Sequence, residues 1–227
     1  MAVLIWIDLP DCLSTNVHSK IVICSELRSF FLSSFLFMAN AWEQRKLLEI
    51  SEKVTEKNAS RAYSETFTNS AEHGIISQRD FFDHDISNNE NIDTYYIVRN
   101  DDFVYNPRIS TFAPVGPIKR NKLGRNGVMS PLYYVFRTHD IDPTFLEHFF
   151  TTASWHEFMK LNGDSGARSD RFSIKDSVFK EMPLPYPPLD EQKKIGELFD
   201  SLNYLITLHQ RAPCNIKIYI LQGALLC

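Results

Sequence analysis

The strongest chemical signal in the sequence is a dense run of basic side chains. The segment from Pro117 to Gly127, called the basic segment below, carries four positive charges, two asparagines and two glycines, and it contains no acidic residue. Cationic side chains bind phosphate oxygens, and amides and glycine backbone donate further hydrogen bonds to them. The segment therefore predicts a loop that contacts a nucleic-acid backbone, with an ordinary solvated loop as the alternative. The residues assigned to this contact are Lys119, Arg120, Lys122, Arg125 and Asn126.

A second basic loop runs from Gly163 to Arg171 and places Arg168 and Arg171 among small residues. Small residues let the backbone approach DNA closely, and guanidinium groups can then reach phosphates or the edges of guanine bases. Asp164 and Asp170 lie in the same loop and weaken the signal. We nevertheless include Arg168 and Arg171 among the predicted DNA-binding residues.

Catalytic and metal-binding signatures are missing from the sequence. It contains no phosphate-binding GxxxxGK[ST] loop, no GxGxxG, no GxSxG and no HExxH. Two segments, 105–108 and 186–189, are similar to the Asn/Asp-Pro-Pro-aromatic loop of adenine methyltransferases, but neither has its residues in the required order. The histidines do not follow metal-ligand spacing. The sequence therefore predicts a chain without catalytic residues, without a metal and without a cofactor of its own.

Composition sets the wider limits. The chain has 227 residues, of which 44% are apolar and 23% charged, and a net charge of −4. These values are typical of a globular protein and exclude collagen-like and membrane-embedded chains, while any DNA binding must come from a local patch. All the cysteines lie near the two ends, and none falls between Trp42 and Arg211. We therefore expect a cytoplasmic protein without disulfides.

Hydrophobic patterns along the middle of the chain predict an α/β fold of the mixed α+β kind, with a small sheet. Apolar spacing predicts helical turns over 42–50 and a helix over 143–161. A polar loop is predicted over 51–70, between the first helical turns and the first strand. A proline-rich stretch at 182–188 must be extended and is expected to end the globular part. The predicted strands, each bounded by turn residues, are 74–77, 94–98, 102–105 and 131–137.

An amphipathic helix is predicted over residues 189–211, after the prolines. Asp190 suits its N-terminus, and the apolar residues form a narrow stripe of the kind found in coiled coils. Such a stripe needs a partner surface, either on another subunit or on a second copy of the chain. The residues predicted to form this interface are Ile195, Leu198, Phe199, Leu202, Leu205 and Ile206.

The two ends differ in character from the middle. Residues 1–40 contain few charges, and their apolar run at 30–38 with a small-x-small pattern behind it also resembles a signal peptide. We interpret 1–40 as an atypical segment, disordered or artefactual, because acidic residues precede the run. The predicted organisation is a globular domain over 41–188, the helix over 189–211 and an atypical tail over 212–227.

Four short motifs, in this order, are similar to one family. They are Ala-Trp-Glu-Gln-Arg-Lys-Leu at 41–47, Tyr-Asn-Pro-Arg at 105–108, Gly-Val-Met-Ser-Pro-Leu-Tyr at 127–133, and the stretch from Pro185 to Gly196 that contains Leu-Asp-Glu-Gln-Lys-Lys-Ile. The chain thereby resembles the DNA specificity subunit of type I restriction-modification systems over about residues 41–211. The resemblance implies a target recognition domain of mixed α/β fold followed by a conserved helix.

The same resemblance implies the partners. They are double-stranded DNA, the modification (methyltransferase) subunits and the restriction subunit, with a homodimer through the C-terminal helix as a further expectation and no membrane. S-adenosylmethionine, ATP and Mg are expected on the partner subunits, which methylate adenine and cleave DNA. The family has two recognition domains where this chain has one, and the helix meets Ala212-Pro213-Cys214 where it should continue.

Three functions are compatible with these observations. The first is a half or truncated specificity subunit that binds DNA in a sequence-specific manner, and the second is a degenerate remnant that docks on modification subunits without reading DNA. The third, an autonomous methyltransferase, is disfavoured because the chain has no glycine motif for the cofactor.

Overall fold

The computed structural model describes residues 3–8, 42–81, 89–164, 170–211 and 217–222. They belong to two compact units, one formed by residues 42–197 and the other drawn from residues 1–41 and 198–227. The strands are β1 (Val3–Asp8), β2 (Glu43–Lys46), β3 (Ser51–Lys53), β4 (Phe67–Ser70), β5 (Gly74–Ser77), β6 (Tyr96–Val98), β7 (Phe103–Tyr105), β8 (Ile118–Arg120), β9 (Gly127–Met129), β10 (Tyr134–Thr138), β11 (Pro183–Tyr186) and β12 (Lys217–Gln222). The α-helices are α1 (Leu47–Ile50), α2 (Gln78–Phe81), α3 (Pro143–Thr151), α4 (His156–Asn162), α5 (Asp176–Phe179) and α6 (Leu189–Arg211), and a 3-10 helix spans Asn89–Thr94.

A four-stranded antiparallel sheet forms the centre of the larger unit, with the strand order β3-β10-β7-β8. Successive residues of a strand point to opposite faces of the sheet. In β7, Phe103 and Tyr105 join one buried apolar cluster, and Val104 joins the other. The central sheet is therefore covered on both faces, which explains why β7 and the first three residues of β10 read as continuous apolar runs and not as an alternation.

The first core cluster packs the helices against this sheet. Phe145, Leu146 and Phe150 of α3, together with Trp155 and Met159, are buried in it. The sequence predicts one helix over 143–161, but the structure has two, because α3 ends at Thr151 and is capped by Thr152, whose backbone N–H donates to the carbonyl of Phe149. The β-branched and serine residues of 151–154 disfavour a continuous helix.

The second core cluster packs two small ribbons on the opposite face of the sheet. The antiparallel pairs β4–β5 and β6–β9 contribute Phe67, Ile75, Val98 and Met129 to it. The loop predicted over 51–70 is therefore wrong at both ends, where β3 and β4 form. The four predicted strands match β5, β6, β7 and β10 to within a few residues.

The segment before α1 is a strand and not the predicted helix. Residues Glu43–Lys46 form β2, which pairs antiparallel with the proline-rich strand β11. Met182 and Leu184 are buried in the first core cluster, so the proline-rich stretch belongs to the globular unit and does not end it. Prolines are tolerated in β11 because a two-stranded ribbon leaves one edge of each strand unpaired.

The predicted amphipathic helix is confirmed as α6, which has 23 residues. Its first turns belong to the larger unit and its later turns to the smaller one. The smaller unit also contains β1 and β12, which pair antiparallel from Val3 with Gln222 to Asp8 with Lys217. The sequence analysis predicts neither strand, because each apolar run is isolated and its partner lies at the other end of the chain. Residues 9–41, 212–216 and 223–227 lie outside the described residues.

Candidate nucleic-acid interface

The basic segment comprises β8, the loop that follows it and the start of β9. Its arginine at 120 is largely buried, with a side chain that is 14% exposed. The guanidinium lies 2.6 Å from Asp101 Oδ1 and 3.3 Å from Glu147 Oε2, and it donates to Thr144 Oγ1 at 3.0 Å. Arg120 therefore connects β8 to α3 and to the loop before β7, and its charge is already compensated.

Other members of the basic segment are also engaged within the protein. Arg125 donates two hydrogen bonds of 2.8 Å to the carboxylate of Glu65, which lower the pKa of Glu65 and raise the pKa of Arg125. The Lys122 ammonium lies 3.2 Å from Glu147. Asn126 accepts a hydrogen bond from the backbone of Asn100 at 3.2 Å. The acids that neutralise the basic segment come from distant parts of the sequence.

Lys119 differs from these neighbours. It lies in the middle of β8, opposite Val104 of β7, and it is partly exposed. Within the described part of the chain, its ammonium forms no ion pair. It is therefore the cation of the basic segment that is best placed to bind an external anion.

A second basic feature brings together Arg108 and Arg171, called the arginine pair below. Arg108 follows β7 and Arg171 lies in the second basic loop, and the two residues face each other in an antiparallel bridge. Ile109 N–H donates to the carbonyl of Asp170 at 2.9 Å, and Phe172 N–H donates to that of Pro107 at 2.8 Å. In such a non-hydrogen-bonded pair the Cα atoms lie about 4.5 Å apart and the side chains share one face.

The charges of the arginine pair are poorly compensated. Asp170 is 4.0 Å from the Nε of Arg171, at the limit of an ion pair. Arg108 is exposed, and among the described residues its guanidinium has no carboxylate partner. Like charges directly opposite each other in a sheet are destabilising, so this arrangement favours an anion between them. The sequence analysis includes Arg171 but misses Arg108, although Arg108 belongs to one of the family motifs.

Both arginines line a cavity of about 350 Å³. Two buried or half-buried asparagines hold its wall together. Asn69 Nδ2 donates to the carbonyl of Val104 at 2.7 Å, and Asn106 Nδ2 donates to the carbonyl of Asn69 at 2.8 Å. Asn106 Oδ1 also accepts from the backbone N–H of Arg108 at 3.0 Å. The backbone beneath the arginine pair is therefore fixed by hydrogen bonds to β4 and β7.

Arg168 lies outside the described residues, so its predicted role stays a prediction. The described ranges contain no group of three or more His, Cys, Asp or Glu side chains arranged to bind a metal ion. In the same ranges no helix is long and apolar enough to cross a bilayer.

The predicted interface stripe of α6 divides into two parts. Ile195 packs against the first core cluster, so the start of the stripe is covered by the chain's own domain. Leu198 is half-buried, whereas the following members of the stripe are exposed. The exposed members are Phe199, Leu202, Leu205 and Ile206.

Two residues that the sequence analysis did not single out attach α6 to α3. Gln192 is fully buried, accepts a hydrogen bond from the backbone of Asp142 at 2.8 Å and donates to the carbonyl of Pro187 at 2.7 Å. A Cβ atom at Gly196 would lie 3.2 Å from the side chain of Thr144. The only available signal was their position within the family motif 185–196.

Two solved structures are similar to this chain. A chain from a structure concerned with complex assembly and conformational transition of the type I R-M system aligns with a TM-score of 0.54 and 13% identity, over 75% of this chain and 44% of that one. The crystal structure of the HsdS subunit from Thermoanaerobacter tengcongensis aligns with a TM-score of 0.48 and 13% identity, over 87% of this chain and 50% of that one. The chain thus spans about half the length of these proteins. No curated protein matches it.

A family model decides the assignment. The model described as "Type I restriction modification DNA specificity domain" matches residues 40–217, which is most of the chain and includes both β2 and α6. A DNA specificity domain is the recognition part of such a system and not its catalytic part, in agreement with the prediction of a non-catalytic chain. The chain belongs to the family of type I restriction-modification DNA specificity domains.

Proposed function

We propose that this chain is a half or truncated specificity subunit that binds double-stranded DNA in a sequence-specific manner. It acts in the cytoplasm and directs adenine methylation and DNA cleavage by partner modification and restriction subunits, which carry S-adenosylmethionine, ATP and Mg. Family membership supports the general role. The observation that carries the assignment to this chain is the arginine pair, because two facing guanidinium groups attract an anion and a DNA backbone supplies one.

The arginine pair and Lys119 together form the proposed phosphate-binding surface. The two guanidinium groups line the same cavity, and each presents donors in a planar fork that matches phosphate geometry. Lys119 follows Pro117 and Ile118, and Pro117 lines that cavity as well. We include Arg168 in this proposed surface because it belongs to the same basic loop as Arg171. Arg120, Lys122, Arg125 and Asn126 act on DNA less directly, because each is held by other residues of the protein.

The salt dependence of DNA binding tests this surface. Each phosphate contact steepens the slope of log K against log salt by about 0.9, which amounts to about an eightfold gain in affinity at 0.1 M salt. We expect Arg108→Ala and Arg171→Ala each to reduce the slope and the affinity by about these amounts on duplexes from a random library. Lys46→Ala is the matched control, because the exposed ammonium of Lys46 already pairs with Glu181.

The outcomes separate the roles of the arginines. A uniform loss over all duplexes marks a phosphate contact, whereas a loss confined to one base position marks Arg171 as a reader of a guanine edge. Unchanged affinity and slope in both variants would contradict the proposed surface. Binding of the chain to modification subunits but to no duplex, alone or in that complex, would instead support the docking remnant.

The exposed part of α6 supports a second element of the proposal, assembly through the helix. The stripe formed by Phe199, Leu202, Leu205 and Ile206 is exposed, and a coiled-coil seam of this kind requires a facing helix. We propose that modification subunits and a second copy of the chain bind this stripe. An antiparallel homodimer is two-fold symmetric, so it would prefer an interrupted palindrome.

Light scattering tests the homodimer. Leu198→Asp with Leu202→Asp places two charges in the stripe and is expected to give monomers with the domain still folded. Tyr204→Asp with Thr207→Asp adds the same charges on the opposite side of the helix, since successive residues are rotated by about 100°, and is expected to leave the mass unchanged. A wild-type chain that stays monomeric at high concentration would contradict the homodimer.

A further inference from the structure

A phenylalanine lies at the tip of a tight turn close to the arginine pair. Ser110 and Ala113 exchange two backbone hydrogen bonds of 3.1 Å, which leaves Thr111 and Phe112 as the two central residues of the turn. The ring of Phe112 has no apolar cover, because the residue is 73% exposed. Single exposed apolar residues are common on protein surfaces, so exposure alone does not indicate a role.

The base of this turn is rigidly attached to the core. Ala113 and Val115 are buried, and the buried hydroxyl of Tyr105 donates to the carbonyl of Val115 at 2.9 Å. Gly116 N–H donates to the carbonyl of Ala113 at 3.1 Å, and Gly116 has a φ of +84°. A Cβ atom at Gly116 would lie 2.1 Å from the carbonyl oxygen of Asn106. The backbone is therefore fixed on both sides of an exposed aromatic ring.

The turn is also adjacent to the proposed phosphate-binding surface. Phe112 follows Arg108 by four residues, so their Cα atoms are separated by at most about 14 Å. Base pairs in a duplex are stacked at about 3.4 Å, so this distance corresponds to about four base steps. Ser110, the first residue of the turn, lines the same cavity as Arg108 and Arg171.

We propose that Phe112 inserts between two stacked bases of the DNA duplex while the arginine pair holds a nearby phosphate. This inference rests on the proposed DNA-binding function and assigns a specificity-determining residue to it. DNA-binding proteins use apolar side chains as wedges that unstack a base step and bend the duplex. The bending cost depends on the sequence of the step, so a wedge contributes sequence preference without a hydrogen bond to a base.

The choice of DNA as the occupant follows from charge. The guanidinium groups of the arginine pair line the same cavity as Ser110, the first residue of the turn, and Asp170 is the acid beside Arg171. DNA offers both complementary features, because its phosphates are anionic and the faces of its stacked bases are apolar. Arginines can contact the phosphates, and an apolar side chain can contact the base faces. A protein partner is the alternative occupant, and the test distinguishes it.

The experiment uses the full chain and a series of duplexes that each carry one 2-aminopurine, whose fluorescence rises when it loses its stacking neighbours. The duplexes are taken from those that the wild-type chain retains from a random library. We expect wild type to raise the fluorescence at one base step, Phe112→Ala to abolish the rise with a loss of affinity of about tenfold or less, and Phe112→Leu to restore part of it. Leu161→Ala is the matched control, because Leu161 of α4 is 78% exposed.

The possible results are distinct. A fluorescence rise that persists in Phe112→Ala overturns the wedge and leaves the DNA-binding function intact. The wedge is also overturned if Phe112→Ala changes neither the fluorescence nor the DNA affinity but reduces co-purification with the modification subunit. That result would identify a protein as the partner of Phe112. The absence of duplex binding by the wild-type chain, alone or with the modification subunit, overturns both proposals. Near-ultraviolet circular dichroism confirms that each variant is folded.

Discussion

The basic segment and the arginine pair differ in how far the fold compensates their positive charges. The basic segment contains no acid of its own, yet Glu65, Asp101 and Glu147 fold against three of its cations. The arginine pair consists of two residues distant in the sequence, and within the described ranges its only carboxylate contact is the 4.0 Å one between Arg171 and Asp170. A dense run of cations in the sequence therefore does not by itself show that those cations remain uncompensated in the fold.

The largest effect is expected from the backbone that supports the arginine pair. Gly116→Ala places a methyl group against the carbonyl of Asn106, at a φ that alanine disfavours. We expect a loss of about 3 kcal/mol in the free energy of unfolding. Gly74→Ala, with a φ of +72° and open space around the Cβ position, is the control and should cost about 1 kcal/mol. Urea unfolding measures both, and equal losses would show that Asn106 yields to the methyl group.

A smaller loss of stability is expected when the internal role of the basic segment is removed. Arg120→Met leaves the carboxylates of Asp101 and Glu147 without this partner, and the Arg120 side chain is mostly buried although Asp101 is half exposed. We expect a loss of about 2 kcal/mol in the free energy of unfolding, with little change in the salt slope of DNA binding. A reduced slope in a chain of unchanged stability would assign Arg120 to the DNA backbone and contradict the contrast drawn above.

Two lysines of the same segment provide the sharpest comparison. Lys119→Ala is expected to lower DNA affinity about eightfold at 0.1 M salt and the salt slope by about 0.9. Lys122→Ala should have a smaller effect, because the Lys122 ammonium already pairs with Glu147. Fluorescence anisotropy at several salt concentrations measures both. Equal effects of the two substitutions would mean that the pair with Glu147 opens when DNA binds.

The smallest effect concerns the pair formed by Arg125 and Glu65. Hydrogen bonds from Arg125 lower the pKa of Glu65 in the folded state, so the pair stabilises the fold above the ordinary carboxylate pKa. This contribution is lost as the pH falls through the lowered pKa. Arg125→Gln should lower the free energy of unfolding at neutral pH by less than Arg120→Met does, since the pair is partly exposed and screened by solvent. Urea unfolding at neutral and acidic pH measures the difference, and a cost that grows towards acidic pH would contradict this assignment.

Features with a local cause could be predicted from the sequence. The family motifs, the helix at 189–211 and strands such as β5 and β7 depend on residue types and on periodicities that lie within a few neighbouring positions. The mixed α+β class followed from these elements, and the family comparison confirms it. The cations of the basic segment lie in the β-strand β8 and in the loop that follows it.

Features with a distant cause were decided by the tertiary structure. Residues Glu43–Lys46 become a strand because β11, near the other end of the domain, supplies their hydrogen-bonding partner. Arg108 and Arg171 face each other only because the loops after β7 and α4 form a bridge. The compensation of Arg120 and Arg125 likewise depends on carboxylates from separate elements. Hydrogen bonding and Coulomb interactions act through space, so the sequence determined which charges the protein has, and the fold decided which of them are compensated within the protein.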